Sequence, residues 1–174
     1  NPGLSYNHEL VYLAKNDTLY LFKGTEVWQF PMKIGSWRAL NVTGGPGIYN
    51  MPAVLDEKNS TVYFMTSEML WKLNLDRLTW SNESALELGM ANTHGYAWDI
   101  APEEGNIYMT TGHMYGAMNV WAYSISGHSW KKLESESPIC GSFRYRAVYY
   151  AKGQDLYIYG GYSDRTTLDT FNKF

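Results

Sequence analysis

Short apolar runs broken by polar turns recur along the whole chain. LVYLA is followed by KND, PAVLD by EKNS, YAWDIA by PEEGN and RAVYYA by KGQ, and each turn leads into a second apolar run, LYLF, VYFM, IYMT or LYIY. Such runs, rich in β-branched and aromatic residues and separated by turn formers, predict β-hairpins. A third strand is predicted around VWQF, LWKLNL, VWAYSI and LDTFNKF, and a fourth opening at Trp37, Trp80 and Trp130.

The copies are in phase. Their anchor tyrosines, Tyr20, Tyr63, Tyr108 and Tyr157, are 43, 45 and 49 residues apart, while Trp37, Trp80 and Trp130 each stand nine residues after Trp28, Trp71 and Trp121. Constant spacing inside a variable period puts the length changes in loops. A period in the forties built of strands points to propeller blades. A four-stranded sheet cannot hide both faces alone, so sheets must stack. The repeated Tyr and Trp rings are expected to be that packing. The expected fold is all-β, one propeller domain over 1–174, with four-stranded blades near 9–42, 51–88, 95–135 and 146–174, the last incomplete.

Composition narrows the class. No apolar run approaches the length of about 18 residues that a membrane helix needs. Net charge of −3 supplies no basic stripe for a phosphate backbone, so nucleic acid is an unfavoured partner. A single cysteine, Cys140, cannot build an internal disulfide framework. Four sequons, at Asn16, Asn41, Asn59 and Asn82, exceed the roughly two that this composition yields by chance. They favour an extracellular, glycosylated domain over a cytoplasmic one.

DLYIYGGYSDRTTLDTFNKF, with Tyr157, Gly160, Gly161 and Phe171, resembles the kelch repeat, in which a second strand ends in Gly-Gly and an aromatic third strand follows. NIYMTTGHMYGAMNVWAYSISGHSW is similar, with Thr111-Gly112 in place of the glycines; the first two copies keep only the Tyr and Trp spacing. The resemblance implies a kelch-type β-propeller, close to attractin-like ectodomains among extracellular members. It also implies a larger ring, since such propellers close with more blades than about four. Further blades from the same or another chain are therefore expected to complete it. Residues 1–8 could instead supply the outer strand missing from the last blade.

Loops that enter the first strand and loops between the second and third strands should leave one end of each blade. Variable, functional residues collect on such a face. The entering loops carry His8, Tyr49, His94, Tyr96, Arg144 and Arg146, and the second-to-third loops carry Lys23, His113, Tyr115, Tyr162, Asp164 and Arg165. Arg144 and Arg146 flank Tyr145, which sends both guanidinium groups to one side of an extended segment. Arginine and tyrosine together suit a protein or peptide partner, and the resemblance implies acidic or turn-shaped peptides. The alternative is an internal ion pair for one arginine.

Catalytic motifs are not found. There is no G-x-S-x-G elbow, Walker loop or dinucleotide fingerprint, and TGGPGIY at 43–49 reads as a loop after a strand. The histidines lack ligand spacing, so no metal and no cofactor is expected. The expectation is a non-catalytic interaction module. Its alternatives are an intracellular kelch adaptor or cytoskeletal domain and, by resemblance to other kelch-like propellers, a copper radical oxidase or sugar epimerase.

Overall fold

The computed structural model describes residues 2–3, 8–48, 52–66, 69–85, 96–111, 117–134, 139–140, 146–160, 162–163, 166–167 and 171–173. Apart from one 3-10 turn, Ala14–Asn16, the regular structure among them is β-strand. The chain divides into two compact units, 1–85 and 86–174.

The first unit holds two four-stranded antiparallel sheets. Blade 1 is β1 (Glu9–Leu13), β2 (Thr18–Lys23), β3 (Glu26–Pro31) and β4 (Arg38–Leu40). Blade 2 is β5 (Ala53–Asp56), β6 (Thr61–Met65), β7 (Met69–Asn74) and β8 (Thr79–Ala85). Both sheets keep strand order equal to chain order, so each is built by consecutive hairpins.

In the second unit, blade 3 comprises β9 (Tyr96–Ala101), β10 (Asn106–Thr111), β11 (Ala117–Ser124) and β12 (Ser129–Leu133), with β13 (Ile139–Cys140) added to the start of β11. Blade 4 pairs β14 (Arg146–Tyr150) with β15 (Asp155–Tyr159). Past a small hairpin of β16 (Tyr162–Ser163) and β17 (Thr166–Thr167), β18 (Phe171–Lys173) joins β15. Three strands form this last sheet among the described residues. Residues 2, 3 and 8 are not strand, and the Pro2 carbonyl accepts a 2.6 Å hydrogen bond from Lys23 Nζ.

The turns repeat as closely as the strands. The last residue of the first hairpin turn has positive φ in every blade: Asp17 at 50°, Ser60 at 49°, Gly105 at 68° and Gln154 at 55°. In three of them its carbonyl accepts from a backbone N–H just past the third strand, from Met32, Leu75 and Ile125 at 2.8–2.9 Å. The turn between third and fourth strands ends likewise at Gly35, Leu78 and His128, with φ of 70°, 55° and 50°. Left-handed backbone costs a non-glycine residue about 1 kcal/mol. The tight hairpin and its bond to the third strand hold it there.

Blades 1 and 2 meet through one apolar cluster. Phe22 and Phe64, both fully buried, cross edge to face with centroids 4.7 Å apart, surrounded by Leu13, Val62 and Leu73. Such a pair adds about 0.5–1.5 kcal/mol to the area that it buries. Trp80 closes the cluster from the side, 5.5 Å from Phe64. Gly45 lies flat against its indole, where a Cβ would collide with the ring. That loop is the TGGPGIY segment. Its Ile48 is buried and bridges Gly24 by two backbone hydrogen bonds, which joins blade 1 to the strand that follows.

Of the closing tryptophans, Trp80 is part of the contact between blades 1 and 2, while the ring contacts of Trp37 and Trp130 stay inside their own blades. Trp37 packs on Phe30, Trp80 on Phe64 and Trp130 on Tyr123. Of the third-strand tryptophans, Trp28 and Trp71 are half-buried and Trp121 is buried. Between blades 1 and 2 the buried contact is made by first- and second-strand residues, Val11, Leu13, Tyr20, Phe22, Val62 and Phe64, with Val27, Ile48 and Leu73 around them.

Candidate binding surface

Strand register fixes which loops share an end. Glu9 pairs with Phe22, Ala53 with Phe64, Tyr96 with Thr111 and Arg146 with Tyr159. The start of each first strand therefore lies beside the end of its second strand, so the two loop classes leave each sheet together.

Within the second unit this geometry brings two of the predicted residues to one end. Tyr149, near the C-terminal end of β14, donates its hydroxyl to Glu104, just past the C-terminal end of β9, and its backbone N–H to Asp99 Oδ2 at 2.9 Å. The two first strands thus run the same way, and Tyr96 and Arg146, their opening residues, start from a common end. Tyr162 opens β16 in the loop that leaves the same end of blade 4. The other predicted contact residues, Tyr49, His94, His113, Tyr115, Arg144, Asp164 and Arg165, lie outside the described residues.

The four sequon asparagines are all exposed. Asn16 and Asn59 occupy the same turn of blades 1 and 2, and in each the sequon threonine turns inward and donates to the asparagine's own carbonyl, Thr18 at 3.0 Å and Thr61 at 3.1 Å. Their side-chain amides also bond locally, Asn16 Nδ2 to the Tyr20 hydroxyl at 3.1 Å and Asn59 Nδ2 to Asp56 Oδ2 at 2.7 Å. A glycan on Nδ2 leaves one N–H, enough to keep that bond. Asn41 follows β4, but Asn82 stands inside β8 rather than after the fourth strand. A register shift between Leu70 and Trp71 interrupts the ladder opposite it.

Electrostatics on the described surface are local. The Lys15 ammonium beside Asp76, at 2.8 Å, outweighs slight burial and holds that carboxyl below its usual range. Burial, then the charges of Asp56 and Glu83, push the Tyr63 hydroxyl far up. A hydrogen bond to Asp17 raises that of Tyr12. Among the described residues no group of three or more His, Cys, Asp and Glu side chains converges, and no helix is long and apolar enough to cross a membrane.

Sequence reasoning missed a second class of surface. Leu10, Tyr12, Val148, Tyr150 and Tyr159 are about half exposed, between 47% and 59%. Their counterparts in the other blades are buried or half-buried, a difference set by which sheet lies alongside and not carried by the sequence.

Known structures of β-propeller type share this fold. A crystal structure of a nidogen/laminin complex is similar over 88% of this chain and 56% of that one, with a TM-score of 0.61 and 14% identity. The structure of YjhT is similar over 89% and 58%, with a TM-score of 0.66 and 14% identity, and that of TolB from Acinetobacter baumannii over 99% and 44%, at 0.60 and 12%. The chain spans about half the length of these structures. No family model matches it, and neither does any curated protein. At such identities the likeness is one of fold: the chain forms about four blades of a β-propeller.

Proposed function

We propose that this chain is a kelch-type, non-catalytic interaction module that grips a protein or peptide through the loops at the end of the blades where Tyr96 and Arg146 begin. The observation that supports this reading is that β9 and β14 run the same way, so their opening residues, an aromatic and a cationic one, start from a common end of the second unit. Kelch character is supported by the Gly160 turn, whose φ of 77° suits glycine, and by the Tyr and Trp spacing. Fold likeness to a structure of a complex between two proteins fits the same role. Arg146→Ala should weaken binding to an acidic peptide library roughly tenfold with an unchanged melting temperature. A fall in melting temperature instead would assign the arginine to an internal ion pair.

An extracellular setting with glycans on Asn16, Asn41, Asn59 and Asn82 belongs to this reading, supported by the exposure of all four. Intact mass of protein from its native source should drop on glycosidase treatment. An unchanged mass would return the domain to the cytoplasm. The ring is completed by other blades, from this polypeptide or another.

A further inference from the structure

Blade 1 buries one face against blade 2, through Val11, Leu13 and Phe22; its other face is apolar and open. Leu10 is 51% and Tyr12 48% exposed, and Leu19, Leu21, Trp28 and Phe30, on the same side by strand register, are half-buried. Blade 4 buries Ala147, Tyr149, Leu156 and Ile158 against blade 3. Its opposite face carries Val148 at 59%, Tyr150 at 47% and Tyr159 at 56% exposure. Exposed apolar residues clustered on a sheet face mark an interface; on blade 4 they lie beside the Asp155–Lys173 ion pair.

The repeat says which interface. A step of 43 residues carries Leu10, Tyr12 and Leu21 onto Ala53, Leu55 and Phe64, which are the blade 2 residues packed against blade 1. A step of 137 residues carries Val11, Leu13 and Phe22 onto Val148, Tyr150 and Tyr159. The open face of blade 4 therefore corresponds to the first half of the blade 1 to blade 2 interface, and that of blade 1 to the second half. The two open faces are complementary to each other and not to themselves.

We propose that a second copy of this chain covers them, head to tail, with blade 4 of one copy on blade 1 of the next. The pairing repeats the kind of contact seen between blades 1 and 2 and between blades 3 and 4. It rests on the reading that the blades belong to a larger ring, and it names what completes that ring. Two copies supply eight blades, within the four to eight that propellers use, and the chain covers just over half, 56% and 58%, of two propellers that it resembles. A heterologous contact of this kind closes a ring or extends as a series.

The register also predicts a flaw at the rim. Lys15 of blade 1 pairs with Asp76 of blade 2; their counterparts at the new contact are Lys152 of one copy and Lys33 of the next, both exposed. Two ammonium groups meet where the internal contact has an ion pair.

Analytical ultracentrifugation of the whole chain tests this. Wild type should self-associate, and Leu10→Lys and Val148→Lys, at positions exposed enough to leave folding intact, should each be monomeric. Mixed together they should form a 1:1 complex, because each retains the face that the other lost. Lys33→Asp should tighten wild-type association roughly tenfold at low salt, with the gain fading as salt rises. Failure of the mixture to associate, or no response to Lys33→Asp, overturns the head-to-tail register. A monomeric wild type whose Tyr12 and Tyr159 react with a phenol label as fast as in the Leu10→Lys and Val148→Lys variants overturns the second copy alone. A monomer in which both are protected overturns the larger ring as well, since its faces would be closed already.

Discussion

Phe64→Ala should lower the unfolding free energy by about 3–5 kcal/mol, the largest loss expected from any single truncation in the first unit. Its ring is fully buried, touches Phe22 across the gap between blades at 4.7 Å and supports Trp80 at 5.5 Å. Removing it empties a volume bounded by two sheets held rigid by their ladders, which restricts collapse. Urea unfolding followed by tryptophan fluorescence measures the loss. Phe22→Ala should cost a similar amount, and the double variant less than the sum, because the two rings fill one space. Trp71→Ala, at a half-buried ring outside the cluster, should cost less than either; a larger loss at Trp71 would show that the contact between blades is carried elsewhere.

That ranking reverses what the repeat alone implies. Trp28, Trp71 and Trp121 hold fixed spacing because each marks the same place on a third strand, and spacing reports place, not energy. Phe22 and Phe64 were less visible because they stand at different places in the repeat: Phe22 corresponds to Met65, Thr110 and Tyr159, and Phe64 to Leu21, Met109 and Ile158, so neither ring recurs from blade to blade. The hairpins were legible from apolar runs ended by polar residues, and the blades from the Tyr and Trp phase. The left-handed turn positions were not, since Asp17, Ser60, Gly105 and Gln154 share a backbone angle and no side-chain chemistry.

The loop face was legible only as topology. Antiparallel alternation fixes which loops leave an end together, and Tyr96 and Arg146 follow from that. Which loop residues converge depends on backbone paths through irregular segments, where no period constrains the side chains. Open sheet faces, by contrast, require knowing which neighbours a blade has. A sequence shows that Val148 is apolar and not whether anything covers it.

Glu104 should be the largest polar contributor in the second unit. It stands in the turn after β9 and accepts from two tyrosines on different blades, Tyr108 at 2.5 Å and Tyr149, whose rings stack 5.5 Å apart at 18°. Burial alone would raise its carboxyl, but hydrogen bonds from Tyr108, Tyr149 and Asn106 overcome it and hold the group below its usual range. Glu104→Gln offers one acceptor oxygen and turns donors on the second hydroxyl, so a loss of about 2–3 kcal/mol is expected. A group with a depressed folded value stabilises fully above its unfolded pKa, about 4.3, and loses that contribution as pH falls through the folded value. The difference between wild type and Glu104→Gln should therefore be flat near neutrality and shrink below about pH 4.3. On the alkaline side, burial and the Glu104 bond raise both tyrosines, so their contribution is complete below about pH 10 and fades as pH climbs through the raised values. Tyr149→Phe should abolish most of the acid-side difference while keeping the backbone bond to Asp99. If the two single variants were additive, the carboxylate and the Tyr149 hydroxyl would not be acting on each other, and the tie between blades 3 and 4 would rest on Asp99 and the apolar contacts alone.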